Sequence, residues 1–244
     1  MVAVLFLPGW PSAGFKMDPR VQTIAQGGPA GPFGAYHGPM RTGAGLTPKG
    51  AATRARIVET AADLVLDRGV GGTTLDDIRA GTGTSKSQLF HYFPGGKADL
   101  VGAVTAFQGE RVLDAQRPHL DTLDTWESWQ GWRDAVVAHY RSQRQWGCPI
   151  SALASELLGH HSAHAAEVAA YMDRWRAYLE AGVVRMRAAG LLRPDTDPEP
   201  MALSIFAALQ GGLLLMQMTR SIRPLEAALD GAMAALRAAS WPET

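Results

Sequence analysis

Thr74-Leu-Asp-Asp-Ile-Arg-Ala-Gly-Thr-Gly-Thr-Ser-Lys-Ser-Gln-Leu-Phe-His-Tyr-Phe93 is the stretch on which the reading of this chain turns. Thr74 offers a capping hydroxyl, and Asp76 and Asp77 follow in the positive first turn of a helix. Leu75 and Ile78 are its buried pair. Gly83 supplies the turn, and Ser85 caps a second helix that Leu89, Phe90 and Phe93 anchor inward. Two helices this short are not stable alone, because nucleation is costly and few hydrogen bonds follow it. They must rest on other elements. An exposed polar helix braced in this way has the shape that enters a DNA groove.

The flanking residues supply the support. Thr47-Pro48 places a cap before a proline at the first helical position. Ile57, Ala61, Leu64, Val65 and Arg68 then share one helix face, which Gly69 and Gly71-Gly72 end. Downstream, Pro94-Gly95-Gly96 stops the second short helix. Lys97 to about Gln116 reads as a long connecting helix with Leu100, Val104 and Phe107 inward. Residues 47–107 are thus expected to form a three-helix bundle plus the start of a fourth helix.

On the second short helix, Lys86, Ser87, Gln88 and His91 point outward. Glutamine can pair with both edge atoms of adenine, lysine can reach guanine or phosphate, and a small serine permits close approach. Ser85, Tyr92, Lys97 and Thr74 offer hydroxyl, ammonium or helix-start N–H groups to phosphates. Arg54 and Arg56 could track the backbone. The competing reading is a solvated face on an ordinary bundle.

Residues 50–107 resemble the DNA-binding domain of the TetR family of transcriptional regulators. Ile57, Ala61-Ala62, Gly69, Thr73 to Ile78, Gly83 to Phe93, Lys97 and Leu100 carry the resemblance, long and in order. It implies that Thr74, Tyr92 and Lys97 contact phosphates and that Ser85 to Gln88 with His91 face the groove. Three features depart from the pattern. Arg79 stands where a small residue is usual, Phe90 replaces a tyrosine, and Pro94-Gly95-Gly96 adds a residue before Lys97. Arg79 is expected either to snorkel off the bundle or to add a phosphate contact.

The second half, residues 108–244, also reads as helical. Trp129, Trp132, Val136 and Tyr140 share a face that ends near Trp146-Gly147. A helix from Cys148-Pro149 carries Leu153, Leu157 and Leu158 inward to Gly159. A long one from about Ala163 to Ala189 carries Val168, Met172, Trp175, Leu179, Val183 and Met186. The last two, about Pro198–Met218 and Arg223–Ser240, are rich in alanine, leucine and methionine. Ile222, Leu225, Leu229, Met233 and Leu236 form a seam on the final helix. The family resemblance implies a homodimer through a four-helix interface built from these last two helices, and a helix–turn–helix needs two copies to span two half-sites. Trp129, Trp132, Trp146, Met172, Trp175, Phe206, Met216 and Met218 are candidate walls of an effector cavity, with plain packing the alternative for each. Gly147 to Leu157 resembles a subgroup of lincomycin- and flavonoid-responsive regulators, which implies an apolar or aromatic effector.

Composition closes other routes. The 244 residues carry 23 basic and 23 acidic side chains, so DNA affinity must come from local arrangement rather than bulk charge. A single cysteine, Cys148, excludes an internal disulfide framework and suits a reducing cytoplasm. The apolar runs Ile205–Leu209 and Leu213–Met216 are split by Gln210-Gly211-Gly212, so no membrane span is expected. Residues 1–46 are dense in glycine and proline and read as a disordered leader, with Met17 or Met40 as an alternative start. They make a poor secretory signal. His160, His161 and His164 are spaced like a metal pair but lack a third ligand, so solvated surface is expected and no metal. No nucleophile has a readable base, and no phosphate loop is present, so neither an enzyme nor a cofactor is expected. The expectation is an all-α, homodimeric, cytoplasmic repressor with an N-terminal helix–turn–helix domain and a C-terminal effector-binding and dimerisation domain. It binds a palindromic double-stranded operator and is released by a small hydrophobic molecule. The rivals are a helical protein–protein adaptor, an activator, or a regulator without a small ligand.

Overall fold

Five of the α-helices start where a side chain satisfies backbone N–H groups the helix itself cannot. In the computed structural model, which describes residues 46–143, 146–157 and 163–241, all regular elements are helical. Helix α1 (Pro48–Gly72) begins where Thr47 Oγ1 accepts from the Gly50 N–H at 3.2 Å. It is broken at Gly69, whose φ of 77° lies in the left-handed region that glycine tolerates. Helices α2 (Leu75–Thr82) and α3 (Lys86–Tyr92) each open with a reciprocal capping box, Thr74 with Asp77 and Ser85 with Gln88. Gly83, with φ 65°, makes the turn between them.

Helix α4 (Lys97–Asp114) connects this group to the rest. A 3₁₀ turn (His119–Asp121) leads to α5 (Trp126–Ser142), α6 (Pro149–Leu157) and α7 (Ala163–Ala188). Helices α8 (Pro198–Thr219) and α9 (Arg223–Ala238) close the chain and pack on each other, with α8 also resting on α7. Leu46–Thr244 group into one compact unit. The expected leader, the Leu158-Gly159 helix end, and His160 and His161 fall outside the described residues, apart from Leu46.

Three expectations change. Phe90 is not an inward anchor: it is 38% exposed, whereas Leu89 and Phe93 are buried. Leu89 and Phe93 are four residues apart and lie 40° apart around the helix, while Phe90 is rotated 100° from Leu89 onto the flank. Leu75 is half-buried beside buried Ile78. Gln210-Gly211-Gly212 does not interrupt the apolar run, because α8 passes through it unbroken and is long and apolar enough to cross a membrane by length and composition. Gly212 is where α9 crosses: a Cβ there would meet Ala228 Cβ at 2.9 Å and Leu225 Cα at 3.0 Å. Only 33% of the apolar window of α8 is buried inside the protomer.

The final seam is spent internally. Leu225, Leu229, Met233 and Leu236 are buried. Exposed on α9 are Ala227, Gly231, Ala234, Ala235 and Ala238 together with Arg223, Asp230 and Arg237, and exposed on α8 are Leu203, Ala207, Gly211, Leu214, Leu215 and Met218 with Ser204 and Gln217 among them. Met218 is accordingly no cavity wall; it stands 72% exposed.

Candidate nucleic-acid interface

Helix α3 is held from behind by Leu89 and Phe93, each worth about 1.5–3 kcal/mol of buried apolar surface. Its outer side chains Lys86, Ser87, Gln88 and His91 are all exposed. Among the described residues neither Lys86 nor Lys97 has a carboxylate at ion-pair distance, so both ammonium groups are available to an anion. Lys97 opens α4 after Gly96, exposed, at the positive end of that helix. Tyr92 is half-buried, edge-on to His91 at 5.0 Å, and its hydroxyl reaches the start of α1 beside Gly50. Ser85, Lys86, Ser87, Gln88, His91, Tyr92 and Lys97 therefore lie on α3 and the two helix starts flanking it.

Local hydrogen bonds qualify several expected roles. Gln88 Oε1 accepts from the Ser85 N–H at 3.0 Å, so its amide donor is free but its acceptor is not. Two-point pairing with adenine would require that cap to open. The Ser85 hydroxyl accepts from the Gln88 N–H at 3.2 Å and meets Ser87 Oγ at 3.1 Å. Thr74 donates both its N–H and its hydroxyl to Asp77 Oδ2, at 2.9 and 2.6 Å. Those bonds hold the Asp77 carboxyl below its ordinary value, with Arg68 adding to the effect. Thr74 thus serves as a cap, with no donor left for a phosphate in this arrangement. Arg79 neither snorkels nor stands free, because its guanidinium pairs with Asp76 at 2.6 Å. Arg54 lies over the Phe93 ring at 5.1 Å, while Arg56 is exposed.

Comparison with known proteins agrees with this geometry. Residues 57–104 match the family described as bacterial regulatory proteins, tetR family. Residues 128–232 match the tetracyclin repressor-like C-terminal domain. The chain belongs to the TetR family. It is 28% identical over 186 residues to an uncharacterised HTH-type transcriptional regulator of Mycobacterium tuberculosis, covering 71% of this chain and 88% of that protein. It is 25% identical over 175 residues to the HTH-type transcriptional repressor DhaR of a Mycobacterium species, covering 71% and 86%. A TetR transcriptional regulator from Chloroflexus aurantiacus superposes with a TM-score of 0.69 at 27% identity, over 78% of this chain and 96% of that one. A Cytophaga hutchinsonii member shares the fold at TM-score 0.70 and 19% identity, over 81% and 100%. The protein is a DNA-binding transcriptional regulator of this family and not an enzyme.

In the C-terminal helices of this TetR-family regulator, the expected cavity residues divide into two groups. Trp129, Trp132, Trp175 and Met216 are fully buried; Trp146, Met172 and Phe206 are half-buried. Gln116 Oε1 accepts from the indole N–H groups of Trp132 and Trp175, at 2.8 and 2.9 Å, while its amide donates to the Val112 carbonyl at 2.6 Å. Trp129 stacks edge-on against Trp132 at 5.7 Å, and Trp175 against Phe206 at 5.6 Å. Ser151 donates to Gln210, whose amide meets Met172 Sδ at 3.9 Å. Tyr140, whose hydroxyl lies beside the Cys148 thiol, is pushed well above its ordinary pKa by burial. Among the described residues no three metal-ligating side chains cluster, and His164 instead meets Glu167 at 3.2 Å.

Two features that sequence reasoning missed join the halves. The Glu156 carboxylate, on α6, accepts from the Val70 N–H at 2.6 Å and the Gly71 N–H at 3.3 Å, in the turn just before α2. On the other side, α4 presents Gly102 and Gly109, seven residues apart, to His164 and Tyr171 of α7, also seven apart. A Cβ at Gly109 would overlap the Tyr171 ring, and Glu110 pairs with Arg174 at 2.8 Å in the next position. Each partner is 62 to 86 residues away, beyond the reach of any periodicity.

Proposed function

We propose that this regulator is a cytoplasmic homodimeric repressor that holds a palindromic operator and releases it when a small apolar or aromatic effector binds. In this reading, residues 47–107 serve DNA and residues 108–244 serve the effector and the partner protomer. The observation that carries it is α3 itself, buried along one side by Leu89 and Phe93 and polar and exposed on the other. Ser85, Lys86, Ser87, Gln88 and His91 lie toward base edges, with Gln88 reading through its amide donor. Tyr92 and Lys97 hold phosphates, and the Thr74 cap orients α2 rather than touching DNA. Partner protomers meet along the alanine- and glycine-rich strip of α9 and the leucine and methionine strip of α8, whose uncovered apolar area would otherwise face water. The effector enters beside Met172, Phe206 and Trp146 and parts the packing around Trp129, Trp132, Trp175 and Met216. Such a ligand shifts α4 and with it the spacing of the two α3 helices, which needs only a differential affinity for the two spacings.

Gel-shift with DNA upstream of the protein's own gene tests this. A two-fold-symmetric fragment should be retarded at one dimer per site. Lys97→Ala should weaken binding to every sequence and lower the salt slope by about one unit, whereas Gln88→Ala should alter sequence preference. If no fragment is retarded, the adaptor reading takes its place.

A further inference from the structure

We propose that the cleft where α1, α4, α5 and α6 meet binds a small zwitterion of the amino-acid type, at a site separate from the tryptophan core. The cleft holds about 40 Å³ and is lined by Asp63 of α1, Gln108 and Arg111 of α4, and His139 and Gln143 at the end of α5. Gln108 is the first observation. It is only 3% exposed, yet its carboxamide has no hydrogen-bond partner among the described residues. Gln116, eight residues further on and just past the end of α4, has both carboxamide atoms bonded. Its carboxamide opens onto the cleft, so a polar occupant could bond both its donor and its acceptor.

The charges are the second observation. The Arg111 guanidinium lies over the Phe107 ring at 5.4 Å and has no carboxylate partner among the described residues, and Asp63 has no cationic one. The two therefore line one cleft on different helices without satisfying each other. Both residues are exposed at the mouth of the cleft, where a ligand with both signs would pair its carboxylate with Arg111 and its ammonium with Asp63. His139 adds no third charge. Burial, and then the Arg111 charge, hold its pKa below the ordinary value, and its Nε2 faces the Gln143 amide at 2.6 Å. With Nε2 accepting from that amide, the ring proton sits on Nδ1. The volume takes about three water-sized groups, which suits a carboxylate and its α-carbon with the remainder projecting from the mouth. Bound there, the ligand would tie α1 of the DNA-binding helices to α4 and α5.

Calorimetric titration of the full chain without DNA tests the site, using glycine, acetate and methylamine as probes. Glycine should bind saturably, and each half-ligand should bind about tenfold more weakly or worse. Arg111→Gln and Asp63→Asn should each weaken glycine by about tenfold. Gln108→Leu should remove glycine binding while leaving the thermal midpoint equal or higher, since that amide has no partner to lose. No saturable glycine binding at tens of millimolar, acetate equal to glycine, or glycine binding unchanged in Arg111→Gln would each overturn the proposal. None of those results bears on whether α3 reads DNA.

Discussion

The α3 surface and the Gln116 core are both polar arrangements, yet they are built on opposite principles. Among the described residues, every side-chain hydrogen bond that shapes α3 closes within three residues, between Ser85, Ser87 and Gln88, and leaves the outer donors in water. The Gln116 carboxamide joins α5 to α7 across a dry interior, and both of its atoms are consumed. A surface of the first kind can be rewritten one residue at a time for a new operator. The second tolerates no partial change, because a buried donor left alone costs far more than an exposed one.

Gln116→Leu should therefore give the largest effect, leaving two buried indole N–H groups unpaired at about 1–3 kcal/mol each in urea unfolding. A loss below about 1 kcal/mol would place water within reach of the indoles and erase the contrast. Gly109→Ala comes next, at about 1–3 kcal/mol, because the methyl group must displace the Tyr171 ring. Adding Tyr171→Ala should restore part of it in a double-mutant cycle; strict additivity would show that the ring is not the obstacle. Ser85→Ala should cost about 1 kcal/mol as a lost cap, with a matching loss of operator affinity. The smallest effect is on pH. The Asp77 carboxyl is lowered from 3.8 in the folded chain, so the stability it lends is complete above that value and fades as pH falls through the lower folded one. Asp77→Asn should flatten the acid limb of a urea-midpoint titration, and an unchanged limb would remove Asp77 from the cap.

The same contrast explains what could be read in advance. Thr47, Thr74 and Ser85 announce their helices because a cap and its target lie three residues apart. Gly69 and Gly83 announce breaks because the backbone there turns left-handed. Phe90 misleads, since aromatic character says nothing about the 100° that carries it out of a two-residue anchor. Gly211-Gly212 misleads in the other direction: glycine reads as a breaker, but Gly212 is the notch through which α9 approaches. Of the expected DNA-facing set, Lys86, Ser87, His91 and Lys97 are found exposed, whereas Gln88 and Thr74 are engaged in capping boxes, a use that the Thr74–Asp77 and Ser85–Gln88 spacing itself announces. Gln116, Gln108 and Glu156 left no trace in the pattern, because their surroundings come from residues far along the chain.

Glu156 also bears on how the protein can be cut. An excised fragment ending after α4 would lose the Glu156 carboxylate that accepts from the amides of Val70 and Gly71. The loop entering α2 would fray, and the recognition element would lose its platform. The N-terminal helices are thus not a portable module: grafted onto another body, they would need a new acid supplied at the same spot.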